Sequence, residues 1–255
     1  MRKEKKYLPF WIAVIVVVLF WFILFLKPQK RLPPKVVLGK IALVLDDWGY
    51  TLNNLKMLEE INAPVTIAVL PNLAYSRYIS QRLSRLNFEI ILHLPMEPKE
   101  KMSLEKKTIK TTMSEEEILR IINDSLRSLD KVKGVSNHMG SKVTSNEKTL
   151  EIILRELKKR RLFFLDSYVT ASSQVKKVAA KVGIKCARRD VFLDNSNDPA
   201  YILSQLQKLK KIAREKGYAI GIGHDRKNTL VVLKEEIPKI EKEGYRFVFV
   251  SELAN

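Results

Sequence analysis

The residues of this chain best suited to chemistry come directly after short strand-like runs. Two adjacent carboxylates, Asp46 and Asp47, follow IALVL, and the chain's three histidines follow EIIL, GVSN and AIGIG as His93, His138 and His224. Adjacent carboxylates repel each other unless a cation or a shared proton lies between them. Asp/His/His is a typical facial ligand set for a divalent metal, and it leaves coordination positions for water and substrate. The pattern therefore predicts a metal site assembled from distant parts of the chain.

These side chains can meet only if the elements that precede them end at one place. Short apolar runs recur at 41–45, 65–70, 88–92, 132–136, 162–165, 184–187, 218–222 and 245–250. Helical periods lie between them, at about 52–61, 74–86, 115–130, 146–160, 172–182, 199–216 and 229–243. Strands that alternate with helices predict a parallel sheet, and this number of units predicts a distorted (β/α) barrel of seven to eight strands. An open doubly wound sheet is the alternative. In a barrel the carboxyl ends of all strands open on one face, where the polar residues would share a mouth.

Several local signals mark where helices begin and where the pattern is interrupted. Residues 114–117 and 144–147 fit capping boxes, and Asp198-Pro199 fits an N-cap followed by proline at the first helical position. The segment 95–113 is a long polar insertion, which predicts a flap over the site.

The N-terminus predicts a membrane anchor ahead of the barrel. A basic tail (1–7) precedes an apolar run (8–26) without a charged or polar side chain, then a Pro- and Lys-rich linker (27–40) and the barrel domain (41–255). An apolar run of this length predicts an uncleaved transmembrane helix, and the basic tail favours a cytoplasmic N-terminus. The barrel is then expected outside the inner membrane. A cleavable secretory signal and a buried core helix are the alternatives.

Of the net charge of +18, residues 1–40 carry +8 and the rest of the chain carries +10. Residues 1–40 carry nine Lys and Arg against one Glu, and no dense basic block with interleaved aromatics follows. Nucleic acid is therefore not an expected partner, whereas anionic lipid or an acidic wall polymer fits the basic surface. The single cysteine, Cys186, cannot form an internal disulfide.

Seven motifs in order resemble the divergent polysaccharide deacetylase family. They are LVLDDWG, LPN, LHLPMEP, NHMGS, FLDS, RRDVFLDN and AIGIGHD, and the resemblance covers about residues 41–252. It implies a metal-dependent (β/α) barrel that removes acetyl groups from N-acetylated sugars of an envelope glycan by amide hydrolysis.

The resemblance also implies a role for each residue of the site. In the catalytic branch an Asp-Asp pair supplies the general base and a metal ligand, which correspond to Asp46 and Asp47. His93 matches the first histidine of a His-x-x-x-His ligand motif, and Glu97 occupies the position of the second. His224 matches the general acid.

The fourth strand differs from the catalytic branch. NHMGS stands where that branch carries an Arg-Pro-Pro-Tyr-like stretch, so His138 is expected to complete the metal shell in place of Glu97. Zn²⁺ is the expected metal, because it activates water near neutral pH and polarises a carbonyl.

Other polar and aromatic residues at strand ends have supporting roles. Asp166 or Asp190 is expected to orient a histidine and Arg189 to fix that network, with strand-end caps and a surface ion pair as the alternatives. The rings expected to stack on a sugar, or to pack in turns, are Trp48, Tyr50 and Tyr168.

Two other functions fit the same residues. One is a hydrolase of a different amide or ester. The other is a catalytically silent barrel that binds glycan or an envelope partner around a structural metal.

Overall fold

The computed structural model describes residues 8–25 and 37–255. The chain divides into two compact units, Met1–Val36 and Val37–Asn255. In the first unit, one helix, α1, runs from Leu8 to Phe25.

The predicted transmembrane anchor is not supported by this helix. Across the described residues, the structure contains no helix with both the length and the apolar character needed to cross a membrane. The prediction of a membrane-spanning anchor is therefore wrong, and the predicted placement of the barrel outside the inner membrane loses the anchor on which it depended. The predicted basic tail (1–7) and residues 26–36 lie outside the described residues.

The second unit alternates strands and helices, as predicted. The strands are β1 (Gly39–Trp48), β2 (Val65–Val69), β3 (Phe88–Met96), β4 (Gly134–Met139), β5 (Phe163–Asp166), β6 (Cys186–Arg188), β7 (Val191–Phe192), β8 (Tyr218–His224) and β9 (Tyr245–Val248). The helices are α2 (Leu55–Glu59), α3 (Ser76–Leu83), α4 (Glu115–Arg127), α5 (Glu147–Lys159), α6 (Val175–Val182), α7 (Pro199–Lys216) and α8 (Lys227–Lys242). A short 3₁₀ turn follows at Val250–Glu252.

The strands form a parallel sheet that matches the predicted distorted (β/α) barrel, with nine strands in place of the expected seven to eight. Their order is β6-β5-β4-β3-β2-β1-β8-β7, and β9 also pairs with β1. The two ends of this order belong to one continuous piece of chain, residues 186–193, which we call the closing segment. Its first half pairs with β5 and its second half with β8. Between them, the backbone N–H of Arg189 donates to Asp166 and that of Asp190 donates to Ile220.

Apolar side chains form two cores around this sheet. Small and branched residues such as Ala42, Val44 and Ile91 fill the barrel interior, and a larger core lies between the sheet and the helices. Side chains alternate along a strand, so Asp46, His93 and His224 continue the interior rows of β1, β3 and β8 to the mouth.

Two of the three helix caps predicted from the sequence are present in the structure. Ser114 and Glu117 form the capping box of α4, and Asp198 caps α7 ahead of a proline. The box predicted at 144–147 is wrong, because Asn146 caps α5. The hydroxyl of Thr144 donates instead to the carbonyl of Gly140, at 2.8 Å.

Candidate metal centre and active site

The end of β1 turns two consecutive carboxylates towards the same imidazole. Neighbouring side chains of a regular strand point to opposite faces, but the pairing of β1 with β2 shifts register between Leu45 and Trp48. Asp47 there has a left-handed backbone, with φ of 66°. The Nε2 atom of His93 consequently lies 3.5 Å from Oδ2 of Asp46 and 3.3 Å from Oδ1 of Asp47.

Asp47, His93 and His138 form a compact group of potential metal ligands. One donor atom from each residue lies within 4.8 Å of the other two. Oδ1 of Asp47 is 3.1 Å from Nδ1 of His138, and the two imidazole centroids are 5.0 Å apart. Two ligands held tetrahedrally at usual zinc bond lengths are about 3.3 Å apart. Both the donor types and their spacing therefore fit a divalent transition metal such as Zn²⁺.

The two carboxylates of the doublet have opposite pKa shifts. Burial raises the pKa of Asp46, the charge of Asp47 adds to this, and the nearby histidines offset it only in part. Burial also acts to raise the pKa of Asp47, but hydrogen bonds with His138 and His93 outweigh it and hold the pKa far below its usual range. In addition, Oδ1 of Asp46 is buried without a hydrogen-bond partner. Asp46 is therefore the carboxylate with a free oxygen and the greater affinity for a proton.

The ring of His93 is fixed from the neighbouring strand. Register places Ser136 of β4 beside His93, and the Ser136 hydroxyl lies 2.8 Å from Nδ1. This leaves Nε2 directed at the two carboxylates. Burial lowers the pKa of His93, but the charges of Asp46 and Asp47 outweigh it and the net shift is upward.

The third histidine, His224, enters the mouth from β8, on the other side of β1. Its Nδ1 lies 2.7 Å from Oδ1 of Asp194, and its backbone N–H donates to Oδ2 of the same residue. The Asp194 side chain is fully buried and also accepts from the hydroxyl of Thr229, at 2.7 Å. Burial opposes the charged form of both partners, but their mutual attraction raises the pKa of His224 and lowers that of Asp194. The contact with Asp194 holds the ring at its Nδ1 edge and leaves Nε2 available to a substrate.

Asp194 is the functional residue that sequence reasoning missed. Two other carboxylates, Asp166 and Asp190, were expected to orient a histidine, and neither does. Asp190 contacts Lys216 and the backbone N–H of Ile220. The available signal was the position of Asp194 within RRDVFLDN, but the two-residue strand β7 before it is too short to show a periodic pattern.

Asp166 instead organises the turn that follows β5. It accepts from the backbone N–H of Tyr168 at 2.8 Å and from the hydroxyl of Ser173 at 2.7 Å. Asp166 therefore acts as the strand-end cap that was the alternative interpretation.

Glu97 lies outside the group of potential ligands. Its Oε2 accepts from the backbone and hydroxyl of Thr111, and its Oε1 is 2.8 Å from Nζ of Lys142. These contacts tie the insertion 95–113 to the loop after β4. His138, rather than Glu97, joins Asp47 and His93.

The three predicted stacking rings are in different environments. Trp48 has no exposed surface and offers no ring face to a sugar. Tyr50 is 49% exposed and its hydroxyl donates to Glu105 of the insertion, whereas Tyr168 is half-buried beneath the guanidinium of Arg188. Of the three rings, that of Tyr50 is the most exposed.

A parallel barrel with two carboxylates and three imidazoles at its strand ends defines the class of deacetylase-like (β/α) barrels. The chain belongs to the divergent polysaccharide deacetylase family, whose model matches residues 43–254. The resemblance inferred from the seven motifs is therefore confirmed.

The chain is also similar to individual bacterial proteins. The uncharacterized protein YibQ of Escherichia coli K12 is 36% identical over 202 residues, which cover 79% of this chain. The match spans 63% of the length of YibQ, less than two thirds. The crystal structure of the uncharacterized protein ATU2773 from Agrobacterium tumefaciens C58 has a TM-score of 0.82 at 24% identity, covering 88% of this chain and 92% of that one.

The same fold occurs in a named deacetylase. The Bc1960 peptidoglycan N-acetylglucosamine deacetylase has a TM-score of 0.52 at 14% identity, covering 86% of this chain and 89% of that one. At this identity the likeness extends to the fold alone.

Proposed function

We propose that this protein is a metal-dependent hydrolase that removes acetyl groups from N-acetylated sugars of a polysaccharide. The observation that carries the proposal is the Asp47/His93/His138 group, flanked by Asp46 on β1 and by the Asp194-bound His224 on β8. Family membership and the fold shared with a peptidoglycan deacetylase support the substrate class.

In this proposal Asp47, His93 and His138 hold Zn²⁺. When bound, the metal acts as a Lewis acid that activates a water molecule and polarises the acetamide carbonyl. Asp46 accepts the proton of the attacking water, because its Oδ1 is unpartnered and burial raises its pKa. His224, charged through its contact with Asp194, donates a proton from Nε2 to the leaving amine. Base and acid come from adjacent strands, since Asp46 and His224 are register partners.

The test is acetate release from N-acetylated oligosaccharides by the full chain supplied with Zn²⁺, together with zinc content by elemental mass spectrometry. Asp46→Asn should lower the turnover rate by at least about 10²-fold while retaining zinc, because it removes only the base. Asp47→Ala should lose both zinc and activity. Asp198→Asn is the matched control, since asparagine caps a helix as well as aspartate does. Full activity of Asp46→Asn would rule out the proposed base.

A silent barrel around a structural metal is the second candidate. One observation favours it. His138, a member of the group of potential ligands, comes from NHMGS, which replaces the Arg-Pro-Pro-Tyr-like stretch of the catalytic branch. Its signature is one equivalent of zinc and binding of N-acetylated oligosaccharides without acetate release. Release from acetyl esters alone would instead identify a hydrolase of another substrate.

A further inference from the structure

The side chain of Arg189 is fixed in the closing segment by two backbone carbonyls of the loop after β5. Its Nε donates to the carbonyl of Ser167 at 2.6 Å and its Nη2 to that of Tyr168 at 2.8 Å. The guanidinium plane then covers the ring of Phe192, 3.6 Å from the ring centroid. Arginine suits this place because its planar fork donates in two directions while its face stacks on an aromatic ring.

Phe192 in turn contacts the proposed general acid. Its ring lies nearly parallel to the imidazole of His224, with an interplanar angle of 19° and 6.1 Å between centroids. Asp194 fixes the edge of that imidazole through Nδ1, but a single hydrogen bond leaves the ring free to tilt about it. A stacked neighbour restricts the tilt, so Phe192 supplies the second constraint.

The other end of this chain of contacts reaches the strand that carries His138. Ser167 donates from its backbone N–H to Oδ1 of Asn137 at 2.9 Å and from its hydroxyl to the Asn137 carbonyl at 3.0 Å. Asn137 is fully buried and directly precedes His138. A continuous set of contacts therefore runs around half the mouth, through the residues Asn137, Ser167, Arg189, Phe192 and His224.

We infer that Arg189 is a positioning residue that holds Phe192 against His224 and ties that imidazole to the strand carrying His138. The inference rests on the proposed function for the role of His224 as general acid. The contacts that hold the His224 ring do not depend on that role. Arg189 touches neither the reacting atoms nor a proposed metal ligand, and it acts by fixing the direction of Nε2 of His224 across the mouth.

The test uses the full chain labelled with ¹⁵N-histidine, whose three histidines give three imidazole spin systems. His93→Gln and His138→Gln variants assign the remaining signal to His224. In Arg189→Met we expect the Nδ1–H proton of His224 to exchange with water at least about tenfold faster, because the ring tilts away from Asp194. The turnover rate for acetate release should fall about tenfold with KM within about twofold, since orientation rather than binding is lost. Arg189→Lys should behave like Arg189→Met, because lysine keeps the charge without the planar fork.

Arg188→Met is the matched control, since Arg188 is the adjacent arginine, is exposed, and lies over the ring of Tyr168 rather than that of Phe192. It should leave exchange and turnover within about twofold of the parent. If Arg189→Met fails to fold, Phe192→Leu tests the same contact from its other side. Unchanged exchange in the folded variants overturns the inference. Faster exchange in a protein without any deacetylase activity upholds the inference and rejects the proposed function, so the two fail separately.

Discussion

Asp46 and Asp47 are chemically identical neighbours that the fold gives different properties. The register shift at the end of β1 brings Asp47 within reach of two imidazoles, while Asp46 stays buried with one unpartnered oxygen. A left-handed residue costs little for aspartate, which tolerates this conformation better than most side chains. The local backbone thus separates a proposed ligand from a proposed base within two residues.

Asp194→Asn tests the pairing of Asp194 with His224. The variant removes the carboxylate that raises the pKa of His224, so the imidazole should titrate at lower pH by NMR, with no change in zinc content. Activity should fall at least about 10²-fold as the general acid loses its charge near neutral pH. An unchanged His224 pKa in the variant would contradict the assigned pairing.

The pairing of Asp194 with His224 also makes the stability of the protein depend on pH, and Asp194→Asn measures that dependence. The raised pKa of His224 contributes stability in full below its unfolded value of 6.5 and loses it as pH rises through the folded value. The lowered pKa of Asp194 contributes above its unfolded value of 3.8 and loses it as pH falls through the folded value. The difference in unfolding free energy between parent and variant should therefore be largest between those two pH values, as measured by urea denaturation.

At the scale of elements, the insertion 95–113 is held by contacts to several neighbouring loops. Glu97 reaches Lys142, Lys107 lies 2.9 Å from Asp124 of α4, and Tyr50 donates to Glu105. The contacts of Glu97 with Lys142 and Thr111 explain why this residue, which occupies the position of a ligand in the catalytic branch, lies outside the metal group.

Glu97→Gln distinguishes a role of Glu97 as a metal ligand from its role in holding the insertion 95–113. The variant should keep its zinc stoichiometry, because Glu97 is not a ligand, and trypsin should cleave the insertion faster, because the ion pair with Lys142 is lost. Glu235→Gln, an exposed change on α8, is the control. Loss of zinc from Glu97→Gln alone would return Glu97 to the ligand set.

The sequence predicted the alternating elements because each strand buries a short apolar run and each helix has a longer amphipathic period. It also located the polar strand ends, since parallel strands carry them to one mouth. It could not predict that Asp194 rather than Asp190 pairs with His224, because the closing segment changes partner within a few residues. Nor could it predict the direction of Glu97, which depends on tertiary contacts with Thr111 and Lys142.

At the scale of the whole molecule, an acidic side chain is buried at the end of the barrel opposite the mouth. Glu89 accepts from the hydroxyl of Thr66 at 2.9 Å and from the backbone N–H of Ser251 at 3.2 Å. Across residues 37–255 no cationic side chain forms an ion pair with it, and burial raises its pKa despite these hydrogen bonds. The charged form is therefore unfavourable in the folded state.

Glu89→Gln should stabilise the protein at pH 7, where the parent must carry this buried charge. A raised folded pKa contributes stability below the unfolded value of 4.5 and loses it as pH rises, so the advantage of the variant should vanish near pH 4.5. A gain of about 1 kcal/mol would raise the Tm by about 2–4 °C at pH 7 by calorimetry. A lower Tm at pH 7 would show that both hydrogen bonds need the carboxylate.

The strand order also determines when the site is assembled during synthesis. Asp46, Asp47, His93 and His138 all come from β1, β3 and β4, which with β2 form one uninterrupted stretch of the sheet. A nascent chain that has emerged past β4 therefore already contains every proposed ligand and the proposed base. The proposed acid arrives only with β8, which must find β1 from the far end of the domain. Pairing between strands so far apart in sequence is slow. The proposed ligands can therefore bind metal before β8 pairs with β1 and brings His224 beside Asp46.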